Sequence, residues 1–116
     1  MAVGIARAIS IRQPFVELIL RGKKKIDYRS ISTNIRERVY LYAGKKPVDW
    51  PEAWADAGAQ PGELPTGVIV GSVEIVDCKY DRRNDEYQYI LKNPKRFARP
   101  LRPKNQPQPV WWRPRV

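Results

Sequence analysis

A chain of 116 residues supports one modest hydrophobic core and no second one, so a single domain over residues 1–116 is expected. It has no histidine and one cysteine, Cys78, which removes the commonest general base, an internal disulfide and the usual zinc or iron ligand sets; neither metal nor cofactor is expected. The net charge of +10 falls in blocks: 11 Lys/Arg against 3 acids in residues 1–46, no Lys/Arg and 6 acids in 47–78, and 11 against 3 in 79–116.

Residues 5–12, IARAISIR, place Ile5, Ile9 and Ile11 on one face at period two and predict a strand. QPFVELILRG follows as a short helix, with Pro14 in its first turn, Phe15, Leu18 and Ile19 as the apolar stripe and Gly22 as the stop. KKKIDYRS, residues 23–30, reads as extended chain. RVYLYAG, 38–44, is a strand with Val39 and Leu41 on one face and Tyr40 and Tyr42 on the other. DWPEAWADAG, 49–58, predicts a second short helix, with Asp49 and Glu52 at capping-box spacing and Gly58 as the stop. GAQPGELPTG is a loop by composition, and GVIVGSVEIVDC, 67–78, is the strongest strand in the chain. Gly71 inside it marks a bend or a close backbone approach. YQYILKN, 87–93, adds a strand, and the Pro-rich end closes on a short pairing segment at Val110–Trp112. About five short strands and two small helices fit a mainly β, α+β domain whose sheet curls or closes to protect its edges.

Two basic blocks flanking an acidic one imply a polarised surface, and the matching partner is a polyanion, RNA first and DNA second. The acidic 47–78 segment also offers a surface to a protein partner. No apolar run approaches the ~20 residues that span a bilayer, and residues 1–10 lack the apolar block of a signal peptide. With a lone thiol, these features predict a cytoplasmic protein without membrane contact. Nothing in the sequence sets the oligomeric state, and a monomer is the expectation.

Within GKKKIDYR, Asp27 and Arg29 lie two apart on a strand and share a face. They read either as a structural ion pair or as the polar floor of a cleft, with Lys24 at the turn before them. Lys23 and Lys25 read as solvated phosphate-steering charges. Arg12, Lys24 and Arg29 are the candidates to meet phosphate or base edges. Tyr28, Tyr40, Tyr42 and Trp112 are candidate stacking rings, and Arg36 and Arg38 are flanking cations. Trp50, Trp54 and one of the pair Trp111–Trp112 are expected in the core. Glu74, an acid in mid-strand, reads either as solvated or as facing a cavity.

AISIRQPFVELILRGKKKIDYRS, ERVYLYAGKK, LPTGVIVGSVEIVDC and YQYILKNPKRF, in this order, resemble the ASCH family, whose domains are small PUA-like barrels or pseudobarrels. Its G-x-K-x-x-E-x-R signature is matched by Gly22, Lys24, Asp27 and Arg29, with aspartate for the usual glutamate. The resemblance implies RNA-associated roles. It also implies two enzymatic alternatives, ribonuclease or N4-acetylcytidine amidohydrolase. In the amidohydrolases a lysine, a threonine three residues on and a later-strand glutamate do the chemistry; here these positions are Lys24, Asp27 and Glu74. A carboxylate beside Lys24 and Arg29 should have a lowered pKa and be a poor proton donor. A histidine-free ribonuclease would draw on Lys24, Asp27, Tyr28 and Ser30. Asp27 and Glu74 alone do not define a magnesium site. The reading that follows is RNA binding in a basic cleft formed by residues 24–29 and Glu74, aimed at unstacked or modified bases.

Overall fold

Apolar alternation and turn chemistry build six strands and two short helices in the computed structural model, which describes residues 4–116. The elements run β1 (Ala8–Ile11), α1 (Phe15–Leu20), β2 (Ile26–Arg29), β3 (Arg38–Ala43), α2 (Pro51–Ala57), β4 (Val68–Asp81), β5 (Glu86–Leu101) and β6 (Trp111–Trp112). β1 starts three residues later than its alternation suggests, and the reading of residues 1–10 lies partly outside the described residues, at 1–3. β5 runs eight residues beyond Asn93, the end read from sequence, through Pro94 and Pro100. Prolines and cations disguise this stretch, but it is tolerated because its ladder with β4 is repeatedly bulged. α2 begins with Pro51 at its first position and has no side-chain cap, so the Asp49–Glu52 capping box does not form. Gly58 ends it in the left-handed conformation, as expected.

The sheet order is β2-β5-β4-β3-β1-β6, with β1 parallel to β3 and the remaining pairs antiparallel. Its backbone ladder is open, yet it curls far enough for the two ends to meet through a side chain. Arg29 Nη2 on edge strand β2 donates to the Ser10 carbonyl on β1 at 2.7 Å. The result is a mainly β, α+β domain whose one mixed sheet curls into a pseudobarrel. The main core packs Ile9, Ile11, Val39, Leu41, Val73, Ile75 and Tyr89 beneath Val16 and Ile19 of α1.

A second, smaller core of Ala8, Tyr42, Ile69 and Trp112 fills the other face. Gly71 faces Arg96 across the β4–β5 ladder. A Cβ there would run into the Lys95 carbonyl oxygen and come within 2.8 Å of Leu20 Cδ2, so the glycine marks the close approach its position suggests. Beside it, Glu17 of α1 accepts both terminal nitrogens of Arg96 at 3.0 and 2.8 Å and Arg21 Nε at 2.6 Å, tying helix to sheet. Among the described residues, no helix is long and apolar enough to cross a membrane.

Candidate nucleic-acid interface

Gly22 adopts a left-handed φ of 74°, and the Lys23 and Lys24 amides then donate to the Leu18 carbonyl. This turn delivers Lys24 to the mouth of a cleft of about 560 Å³, within the ~300–1,000 Å³ of small-ligand sites. β1 leads into Arg12, α1 starts at Phe15, β2 supplies Asp27, Tyr28 and Arg29, the entry to α2 supplies Trp50, and the β4–β5 hairpin supplies Asn84 and Glu86. The walls are aromatic and the floor is ionic. Lys24 Nζ lies 5.0 Å from the Phe15 ring centre and 5.2 Å from that of Tyr28, and Phe15 meets Trp50 edge-on at 5.8 Å. Trp50 is 53% and Tyr28 46% exposed, so both rings keep free surface. Trp50 is therefore not the core residue its hydrophobicity suggests.

Asp27 is buried and accepts Arg29 Nε at 2.6 Å. Burial pushes its carboxyl above the ordinary value, and this outweighs the pull of Arg29 and Lys24. The expected lowering is overturned, because removing the carboxylate from water costs more than its two cations return. Lys24 is partly buried, and desolvation lowers its pKa against the attraction of Asp27, with Arg29 adding to the lowering. Among the described residues no ion pair holds Lys24. Arg12 is fixed by donating Nε to the Lys46 carbonyl at 2.6 Å and Nη2 to the Pro47 carbonyl at 2.8 Å. Arg29 acts both as sheet latch and as cleft wall, which joins the two readings of the Asp27–Arg29 pair.

Glu74 does not converge on this cleft. It lies among Arg36, Glu37 and Arg38, accepting Arg38 Nη2 at 3.2 Å and Asn93 Nδ2 at 3.3 Å. Arg38 is itself consumed by Ser72 and the Asn93 carbonyl, and Arg36 by the Thr33 and Ile35 carbonyls. Glu74, Arg36 and Arg38 thus form a separate surface network, and the three-residue set of Lys24, Asp27 and Glu74 is not assembled.

Tyr42 and Trp112, 3% and 6% exposed, stack edge-on with each other inside the second core and leave the list of base-stacking rings. Trp112 Nε1 donates to Ser10 Oγ there. Tyr40 packs edge-on against Phe97, away from the cleft. Lys23 Nζ donates to the Asp56 carbonyl, and Lys25 is exposed. Sequence reasoning missed Phe15, Trp50, Asn84 and Glu86. Phe15 reads as part of the apolar stripe of α1 and Trp50 as a core ring, so neither carried a site signal in the sequence.

A family profile described as the ASCH domain matches residues 9–104. Activating signal cointegrator 1 of Mus musculus and of Homo sapiens are each 26% identical to this chain over 89% of its length. The chain spans 21% of the length of these curated relatives. The crystal structure of an ASCH protein from Zymomonas mobilis superposes with a TM-score of 0.63 at 13% identity, covering 92% of this chain and 85% of that one. That likeness speaks to the fold.

Proposed function

This chain belongs to the ASCH domain family, and we propose that it binds single-stranded or locally unpaired RNA by taking one unstacked or modified base into the cleft between Trp50, Phe15 and Tyr28. One observation carries this reading: half-exposed aromatic rings and the cations Arg12, Lys24 and Arg29 surround a single hollow of nucleotide size. Rings stack on any base face, cations meet the phosphate, and the buried Asp27 holds Arg29 in place. Double-stranded RNA, which keeps its bases stacked, is a poor fit to such a hollow. DNA offers the same faces without the 2′-hydroxyl and is the weaker partner.

A hydrolytic reading has its own support. Asp27 and Lys24 are both drawn toward their neutral forms by burial, which brings a proton donor and a base closer to balance in one cleft. In that version Lys24 and Asp27 carry the chemistry without Glu74.

The test is a titration with labelled transfer RNA, single-stranded RNA and DNA at two salt concentrations, with the same tubes assayed for cleavage and for turnover of N4-acetylcytidine. RNA binding that weakens with salt and drops about tenfold or more in Lys24→Ala, with no product formed, supports the binding reading. Product formed by the wild type and lost in Lys24→Ala supports the hydrolase. Salt-insensitive or absent RNA binding overturns the binding reading, and the absence of any product as well overturns the hydrolase and leaves a protein partner as the ligand class.

A further inference from the structure

A second hollow of about 310 Å³ adjoins the cleft at Lys24, which lines both. Lys24, Lys25 and Lys92 surround it, with Asn93 and Pro94 at its rim and Ile19 and Leu91 in its wall. None of these three lysines is held in an ion pair among the described residues. The neighbouring carboxylate, Glu74, faces Lys92 in the β4–β5 ladder but is engaged by Arg38 and Asn93. The hollow is therefore cationic, with an apolar wall, no acid in its lining, and the Glu74 carboxylate that faces Lys92 already engaged.

Resting on the reading of the cleft as a base site, we propose that this second hollow receives the adjoining nucleotide of the same strand, so that the ligand is an oligonucleotide rather than a free nucleoside or mononucleotide. Lys24 is the partition between the two subsites. A strand passing from one to the other must cross it, which sets a bridging phosphate beside its ammonium group. Lys25 and Lys92 then meet the next phosphate, and the sugar or base lies along the wall formed by Ile19, Leu91 and Pro94. Stacking in the first hollow fixes the base, and the charges in the second fix the direction in which the strand leaves.

The test compares each of the four nucleoside 5′-monophosphates with a random-sequence RNA tetranucleotide as competitors of labelled single-stranded RNA. The wild type and the double variants Lys25→Ala/Lys92→Ala and Lys79→Ala/Lys104→Ala are compared. All four substituted lysines are exposed, so folding is preserved. The tetranucleotide should compete at least about tenfold better than any mononucleotide in the wild type. Lys25→Ala/Lys92→Ala should remove most of that advantage, leave mononucleotide competition within about twofold, and lower the salt slope by about 0.7, the value for one phosphate contact on a single strand. The control pair should change little. Equal competition by mononucleotide and tetranucleotide, or equal losses in the two double variants, overturns the second subsite while the base cleft stands. Failure of every competitor removes both.

Discussion

Glu17 and Asp27 are both buried carboxylates with arginine partners, yet their surroundings drive them in opposite directions. Burial opposes ionisation in each case. At Glu17 it is outweighed by hydrogen bonds from Arg96 and Arg21, which hold the carboxyl below its ordinary value. At Asp27 a single arginine and a nearby lysine fall short, and the carboxyl is held above its ordinary value. Glu17 clamps α1 onto β5 with both carboxylate oxygens engaged, whereas Asp27 lines a cleft in which Lys24 has no ion-pair partner among the described residues. Full pairing suits a structural fastening, whereas partial pairing in a hollow is what the proposed site requires if it is to respond to a ligand.

The strongest way to break the fastening is Gly71→Ala. The added methyl pushes the Lys95 backbone of β5 away from β4, displaces Leu20 and draws Arg96 off Glu17, costing about 1–3 kcal/mol in urea unfolding. Glu17→Ala should cost about 1–3 kcal/mol, at the lower end because Arg21 and Arg96 can turn to water, while RNA affinity stays within about twofold. Trp50→Ala inverts that pattern. It should weaken RNA binding about tenfold, consistent with ~1–3 kcal/mol per stacked base, and change stability by less than about 1 kcal/mol.

The smallest effect separates the two acids by pH. The stabilisation from ionised Glu17 is complete above its ordinary value of 4.5 and is lost as pH falls through its lower folded value. The folded state instead binds the Asp27 proton more tightly than the unfolded chain. Stability therefore rises as pH falls from the raised folded value toward the ordinary 3.8. Unfolding of the wild type against Glu17→Gln and Asp27→Asn across the acid range should give difference curves of opposite slope; parallel curves would erase the distinction.

Local pattern fixed what local chemistry controls. SIRQP and the turn at Gly22 placed Arg12 and Lys24, period two placed Asp27 and Arg29 on a shared strand, and the glycine at 71 announced its close contact. Distant partners decided the rest. Tyr42 alternates like a surface residue but is covered by Trp112, seventy positions later. Glu74 was drawn to Arg38 from another strand, and Trp50 reached the cleft only because α2 starts beside Phe15. Prolines at 94 and 100 masked the length of β5, since bulged pairing tolerates what a regular ladder forbids.

Photocrosslinking of bound single-stranded RNA carrying 4-thiouridine, with the adducts mapped by mass spectrometry, tests most directly whether the hollow beside Lys24 holds a base. Adducts on Phe15, Tyr28 or Trp50, reduced in Lys24→Ala, are the predicted result. Adducts confined to the Tyr40–Phe97 face, and unchanged in Lys24→Ala, would contradict it.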